Sequence, residues 1–275
     1  MEINWYFGMF FLSWVMLRVG FVYLITHVAH SPIAEKQRIY KIPISAEQFD
    51  REKFWPMPFV VDGVGFALLA YWGVLQFAGW ADLPILSQTA ASFAALTLTH
   101  MFITEPLYYG YHLLLHRIPT LRQHHIKHHK ATVPSPPSGY TFTLFERVSY
   151  LVLFALTVLI VGWVGLLTPL GFFAYYLVFD FFNSIGHCNV EFFPKWYVHS
   201  PLKWVVYSPS FHSLHHSRWE GNYSLFMPMY DWLFGTVEPE SDALFICAQS
   251  GSGPQNLSRL NPQRDPASIE QVVRA

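Results

Sequence analysis

Long apolar runs alternate with shorter polar and basic stretches along this chain. About 20 apolar residues are needed to cross about 30 Å of hydrocarbon, so the long runs predict membrane helices. The predicted helices lie at 4–26, 59–79, 87–109, 148–164 and 167–186. The last two are so close in sequence that they either both cross or form a helical hairpin that does not fully cross. The pattern predicts an all-α integral membrane protein with about four to five membrane helices.

The distribution of Lys and Arg predicts the orientation. The connections at 80–86 and 165–166 contain neither residue, whereas the longer polar segments contain several. Cytoplasmic loops carry an excess of Lys and Arg. Three segments are therefore predicted on the cytoplasmic side: 27–58, 110–147 and 187–275. The membrane would be the endoplasmic reticulum in a eukaryote or the inner membrane in a bacterium.

The composition supports the membrane prediction and excludes several other classes of protein. Hydrophobic residues make up 52% of the chain and charged residues 13%, and the mean hydropathy is +0.26. Such a composition is too apolar for an ordinary soluble domain. The net charge of -1 gives no basic excess that would bind nucleic acid. Cys188 and Cys247 are too few for a disulfide framework or an iron–sulfur cluster, so any metal must be held mainly by nitrogen and oxygen.

One domain is predicted over residues 1–248, followed by a polar tail at 249–275. The tail is rich in Pro, Gly and Ser, a composition typical of disordered or loosely attached segments.

Histidines are concentrated in three short motifs. Eleven of the fourteen lie between positions 112 and 216. The motifs "HLLLH", "HIKHH" and "HSLHH" contain His112, His116, His125, His128, His129, His212, His215 and His216. Residues spaced i, i+3 and i+4 share one helix face, so each motif directs its imidazoles to one point. Eight imidazoles exceed the need of one ion, and we predict two metal ions in one site.

Three further residues are candidates for the same site. His187 in "GHCNVE" follows the fifth predicted helix and would be a ninth ligand. Glu191 is either a tenth ligand or a carboxylate that orients an imidazole. Glu105 lies on the helix face of His112, and a carboxylate within the membrane is a functional candidate. Alternatively, Glu105 caps the backbone where Pro106 kinks the helix.

The remaining histidines are predicted to lie outside the metal site. His124 points about 100° away from His125 on a helix, so it is left out of the site. Four isolated histidines are expected to be hydrogen-bonded core or interface residues: His27, His30, His100 and His199.

An apolar run, "YSLFMPMYDWLFG", follows the third motif. It could enter the membrane interface, with Tyr230 and Trp232 as amphipathic anchors. A lipid chain could then reach the metal site without leaving the bilayer. The alternative is simple packing of a cytoplasmic cap on the membrane.

The three motifs and "GHCNVE" resemble those of the fatty acid hydroxylase/sterol desaturase superfamily of membrane-bound di-iron enzymes. The resemblance covers roughly residues 55–240. The stretches "EPLYYGYHLLLH" and "YSPSFHSLHHSRWEGNYSLFMPMYDWLFGT" are most similar to the hydroxylase-like domain of plant aldehyde decarbonylases. Fatty acid 2-hydroxylases carry a second His where this chain has Glu191. The resemblance implies a four-helix membrane base, a cytoplasmic helical cap and two Fe ions between them.

The resemblance also implies dioxygen as cosubstrate and attack on a lipid or sterol C–H bond. The sequence contains no GxGxxG, CxxCH or "HPGG" motif, so electrons must come from a separate donor, a cytochrome b5 or ferredoxin with its reductase. The motifs do not choose among hydroxylation, desaturation and aldehyde-to-alkane conversion. Because the sequence ends soon after the third motif, without the large C-terminal domain of the plant proteins, we expect hydroxylation.

Two other classes fit the pattern less well. A bis-His haem electron carrier would place paired histidines inside facing membrane helices. A metal carrier would need ligands along the membrane path, where few ionisable residues occur: Arg18, Asp62, His100, Glu105 and Asp180. An intramembrane metalloprotease is excluded because the chain has no HExxH motif.

Overall fold

The computed structural model describes residues 5–78 and 84–257. The α-helices are α1 (Trp5–Ala29), α2 (Ala46–Glu52), α3 (Met57–Tyr71), α4 (Ile85–Thr99), α5 (Glu105–Arg117), α6 (Pro119–His129), α7 (Leu144–Trp163), α8 (Pro169–Gly186), α9 (Pro209–Arg218), α10 (Met229–Phe234) and α11 (Ser241–Gln249). Short 3₁₀ turns occur at Pro32–Gln37, Pro136–Tyr140, Lys195–His199 and Pro201–Trp204. Within these described residues, extended pairing is limited to one isolated bridge between Arg38 and Val190.

The long apolar helices form a bundle. α1 packs on α3 and α8, and α4 packs on α8. Trp14, Phe66 and Phe172 meet at its centre with ring centroids 5.1–5.6 Å apart. The outer faces carry exposed apolar side chains such as Met16 and Trp163, as expected for lipid-facing surfaces.

Among the described residues, three stretches are long and apolar enough to cross a membrane: Gly8–Ala29, Ala46–Tyr71 and Leu144–Trp163. The prediction of an all-α membrane protein is confirmed.

Two predicted helices differ from those observed. The helix predicted at 59–79 ends at Tyr71, and a turn follows. The third predicted helix is not continuous α-helix, because a π-helical turn at His100–Thr104 separates α4 from α5. Glu105 donates its backbone N–H to the carbonyl of His100, five residues earlier. Pro106 has no N–H to donate, and the wider turn accommodates this loss.

Buried charges inside the bundle pair with one another. Arg18 donates from Nε to Asp180 at 2.6 Å and from Nη1 to Asp62 at 3.0 Å, and its guanidinium lies 4.4 Å from the centroid of the Trp14 ring. Asp62 also pairs with Arg147. These pairs join α1, α3, α7 and α8, so most of the sparse charges of the membrane segments are used in helix packing.

The other helices and the 3₁₀ turns form a cap at one end of the bundle. α6 packs against α5, and α9 packs against α8 and α11. Of the predicted tail, residues 249–257 lie against the segment before α2, where Lys41 donates its backbone N–H to Pro254 and its Nζ to Gly251. The remainder of the tail, 258–275, lies outside the described residues.

Candidate metal centre

All nine histidines predicted as ligands are buried and converge in two groups. The five-histidine group contains His112, His116, His125, His129 and His215. The four-histidine group contains His128, His187, His212 and His216. Within each group the candidate ligand atoms all lie within 4.8 Å of one another.

Helical spacing distributes the imidazoles between the groups. α5 supplies two histidines to the five-histidine group, whereas α6 and α9 each supply histidines to both groups. In α6, His125 and His129 are one turn apart and enter the same group, while His128 enters the other. His187 is the C-cap residue that directly follows α8. The centre therefore forms only where α5, α6, α8 and α9 meet.

Backbone carbonyls hold five of the imidazoles through their Nδ1 atoms. The pairs are His112–Tyr223 and His215–Gly221 at 2.7 Å, His187–Asn183 at 2.7 Å, His216–Ala131 at 3.0 Å and His128–Ser138 at 3.1 Å. A carbonyl oxygen can only accept, so each Nδ1 carries the proton. In a neutral ring the lone pair is then on Nε2, which is available to a metal.

The Nε2 atoms approach one another as metal ligands do. Nε2 of His125 lies 3.0 Å from that of His112 and 2.9 Å from that of His129. In the other group, the Nε2 atoms of His187 and His212 are 3.0 Å apart. Ligand nitrogens about 2.1 Å from one ion would be separated by roughly 3.0–3.4 Å at right-angle to tetrahedral geometry.

Burial keeps these imidazoles neutral. It lowers the pKa of His112 and of His187 to about 4, and burial with the charge of neighbouring imidazoles lowers the pKa of His116 to about 2. The other six have pKa values well below the ordinary value for the same reasons. Neutral imidazole is the form that binds metal.

Several buried ring nitrogens have no hydrogen-bond partner in the described part of the chain. They are Nε2 of His215, Nε2 of His216, Nδ1 of His129 and Nδ1 of His212. An unsatisfied buried polar atom is costly and suggests a missing ligand. The donor set, nine neutral nitrogens with unsatisfied atoms among them, fits transition-metal ions such as iron.

Glu146 is a contact that the sequence analysis missed. It lies in the first turn of α7, fully buried, and its Oε1 is 2.6 Å from Nδ1 of His125. A carboxylate at this position fixes the ring orientation and increases the basicity of Nε2. The sequence signal was a single Glu, three residues after Thr143, whose side chain caps α7.

Asp231 was also missed, and it acts one step further from the histidines. Its carboxylate accepts backbone N–H bonds from Tyr223 at 2.7 Å and from Ser224 at 2.8 Å. The carbonyl of Tyr223 in turn holds His112. A left-handed turn at Trp219, Gly221 and Asn222 directs this segment back over the site.

The two predicted carboxylates contact backbone rather than the nine histidines. Glu191 accepts hydrogen bonds from the backbone N–H and the hydroxyl of Ser210 at 3.0 and 2.7 Å, and so holds the first turn of α9. Burial raises the pKa of Glu191 to about 7. Glu105 accepts from the N–H groups of Phe226 and Met227 at 2.8 and 3.0 Å, and so fixes the segment after the third motif.

The histidines left out of the site lie outside both groups. His124 is half-buried against the ring of Phe145, with centroids 4.4 Å apart. His100 is buried and bonds to Tyr175 at 2.7 Å and to Glu105 at 3.2 Å, as expected of a hydrogen-bonded core residue. His27 and His199 are exposed.

The two proposed anchors of the apolar run differ. Trp232 is 60% exposed, as an interface anchor would be. Tyr230 is buried, and its hydroxyl donates to the carbonyl of Met101 in the π-helical turn. The expectation for Tyr230 was wrong, because its hydroxyl finds a partner inside the protein.

A narrow cavity of about 30 Å³ adjoins the four-histidine group and is lined by His128, His187 and His212. A second pocket, of about 150 Å³ and almost entirely apolar, opens on the outside between α4, α8 and the segments at 205–206 and 226–227. Phe179 lines both spaces, and its ring centroid lies 5.2 Å from that of Phe226.

Comparison with known proteins bears on this centre. Residues 97–236 match the family described as Fatty acid hydroxylase. The chain belongs to the fatty acid hydroxylase family. The match contains all nine histidines, and the two groups indicate a metal-binding site in an enzyme of this type.

Plant proteins are among the curated relatives. Very-long-chain aldehyde decarbonylase GL1-4 of Oryza sativa subsp. indica is 35% identical over 219 residues, which are 79% of this chain and 34% of the relative. Protein CER1-like 1 of Arabidopsis thaliana is 36% identical over 210 residues, 76% of this chain and 32% of the relative. The chain thus spans about a third of the length of these relatives. No solved structure matches the chain.

Proposed function

We propose that this protein is a di-iron enzyme that uses dioxygen to hydroxylate a C–H bond of an acyl-chain lipid. The convergence of nine buried, neutral imidazoles in two adjacent groups carries this proposal. The five-histidine group would hold one iron ion and the four-histidine group the other. Bound iron would supply the reduction of dioxygen and the oxidation of the C–H bond.

The chain's own residues would hold and shield this chemistry. The backbone carbonyls and Glu146 fix the imidazole rings, so little reorganisation is needed when metal binds. Aromatic side chains, including Tyr108 and Phe154, line the cavity beside the four-histidine group and exclude bulk water.

The lipid would approach through the apolar pocket on the outside of the bundle. Exposed apolar side chains such as Val178 and Val205 line this pocket, so an acyl chain could move there directly from the bilayer. Phe179 and Phe226 would form the barrier between this pocket and the histidines. An opening between these two rings would be narrow and would favour a single acyl chain over a sterol ring system.

A second candidate is conversion of a long-chain aldehyde to an alkane. The specific observation in its favour is the name of the plant relatives, which are very-long-chain aldehyde decarbonylases. Desaturation on the same centre is a third outcome that the family resemblance allows.

Labelled dioxygen distinguishes these reactions. The full chain is expressed in a lipid-rich host, with His128→Ala as the inactive variant and His124→Ala as its matched control. Hydroxylation predicts one labelled oxygen atom in a lipid product that is absent with His128→Ala. An unlabelled product with a new double bond, or an alkane one carbon shorter, would replace hydroxylation with desaturation or decarbonylation.

Orientation and electron supply complete the proposal. We propose that the cap faces the cytoplasm and receives electrons from a separate carrier such as a cytochrome b5 or a ferredoxin. Cysteine placed at Lys130 should be labelled from the cytoplasm and cysteine at Val164 from the opposite side. Both positions are exposed, Lys130 directly after α6 in the cap and Val164 directly after α7. Labelling of both from one side would contradict this orientation.

A further inference from the structure

Trp219 lies between the five-histidine group and the protein surface. It follows α9 with φ 68°, a left-handed conformation that is strained for a bulky residue. Its ring lies 4.8 Å from the ring of His129, centroid to centroid, with an angle of 40° between the planes. His129 is fully buried, whereas Trp219 is half-buried. A conjugated ring therefore leads from the surface to a candidate metal ligand.

The α6 side of this ring is basic. Acidic residues are also present nearby: Glu220 follows Trp219 and is exposed, and Glu240 pairs with Arg218 at 3.2 Å. The guanidinium of Arg122 lies 5.8 Å from the centroid of the Trp219 ring. The segment 117–130 contains no Asp or Glu. Its four exposed cationic residues are Arg117, Arg122, Lys127 and Lys130. In a chain of net charge -1 this is a local excess, and such a field attracts acidic partners and accelerates their association.

We propose that Trp219, Arg122 and the basic side chains of α6 form the docking site of an acidic one-electron carrier protein. The inference rests on the proposed function, which requires electrons from a separate donor. In each transfer the reduced carrier would lose one electron, and the metal that the histidines would hold would gain it. No bond breaks and no proton moves at Trp219, whose ring together with His129 shortens the distance that the electron must cross.

An anionic membrane surface is the other partner that a basic face could bind. The contact between the rings of Trp219 and His129 favours the carrier, because binding of a lipid headgroup does not require an aromatic ring next to a candidate metal ligand. Electron transfer falls steeply with distance, so a carrier does require such a contact.

The test uses the full, iron-loaded protein in nanodiscs and two acidic probes, the soluble haem domain of a cytochrome b5 and a plant-type ferredoxin. Arg122→Glu should raise the Kd of the bound probe about tenfold at low salt, with a smaller difference at high salt. Trp219→Ala should change this Kd little but lower the limiting rate of anaerobic probe oxidation several-fold. Trp219→Phe, which keeps an aromatic ring, should retain most of that rate.

Matched controls separate docking from general damage. Lys195→Glu and Trp196→Ala change an exposed cationic residue and an exposed Trp away from α6 and from Trp219, and should alter neither quantity. Reduction of the metal by dithionite should be normal in Trp219→Ala, which shows that the centre is intact.

Three results would overturn the proposal: neither probe binds the wild-type protein, Arg122→Glu leaves Kd unchanged, or Trp219→Ala keeps the full rate. Loss of binding to phosphatidylserine vesicles in Arg122→Glu, with carrier binding unchanged, would assign the basic face to lipid instead. These results are distinct from failure of the proposed function, which would appear as wild-type protein without bound metal or without product.

Discussion

The two histidine groups use the same imidazoles but have different surroundings. The five-histidine group has a carboxylate, Glu146, on one ring and a half-buried indole, Trp219, on another, close to a basic surface. The four-histidine group is held by backbone carbonyls, including that of Asn183 in α8, and it adjoins the narrow cavity. One group faces the cap surface and the other faces the interior of the bundle.

This difference suggests a division of labour in the proposed enzyme. A metal in the group with more nitrogen ligands would have fewer open positions, and this group lies near the proposed carrier site. A metal in the group with fewer ligands would leave more room for dioxygen, and this group lies beside the space that a lipid would enter. Three substitutions and one pH series test this comparison.

The largest effect is expected at the ligands themselves. His187→Ala should abolish detectable product and lower metal content from about two ions per chain to about one, because its group would be left with three imidazoles. Metal analysis and product analysis on the same membranes measure both quantities. His124→Ala, which removes an imidazole outside both groups, should leave both unchanged. Full metal content in His187→Ala would contradict the ligand assignment.

Glu146→Gln should affect the five-histidine group selectively. Loss of the carboxylate that orients His125 should weaken metal binding about 10–100-fold at that group, while the other group keeps its ion. Competition with a chelator of known affinity measures the two ions separately. The exposed Glu47→Gln is the control. Equal weakening at both groups would show that Glu146 supports the fold rather than one metal.

Phe179→Trp should enlarge the proposed barrier between the outer pocket and the four-histidine group. We expect kcat/KM for a long acyl substrate to fall about tenfold, because adding volume to a packed site strains it. Metal content should not change. Phe181→Trp, at an exposed position of the same helix, serves as the comparison. Should both variants behave as wild type, the lipid must enter elsewhere.

The smallest expected effect is a loss of stability of the metal-free protein as the pH falls. Histidines of the unfolded chain have a pKa of about 6.5, whereas burial lowers the pKa of His112 and of His187 in the folded chain to about 4. As pH falls below about 6.5 the unfolded state binds protons first, so stability present at neutral pH is lost toward about pH 4. Thermal unfolding at pH 7.5, 6 and 5, followed in detergent, measures this loss. A melting temperature independent of pH would contradict the buried, neutral state.

The candidate ligands could be predicted from the sequence because their spacing is local. His125 and His129 share a helix face whatever the rest of the fold does, and His187 was found from its place at the end of a helix. Glu146 and Asp231 were missed because their partners depend on packing between elements distant in sequence. The third helix was predicted without its π-helical turn, since periodicity does not show one extra residue in an apolar run.

The π-helical turn at His100–Thr104 has a consequence for the tolerance of the chain to length changes. Such a turn holds one residue more than the α-helix it interrupts, and the flanking helices keep their alignment. Deleting Phe102, an exposed residue of this turn, would remove the extra residue and leave His112 and His116 facing the other ligands, with one α-helical hydrogen bond still missing at Pro106. Deleting Gly110 would instead rotate both by about 100°, out of the centre. The same one-residue loss would thus be absorbed at one point of the helix and destructive eight positions later.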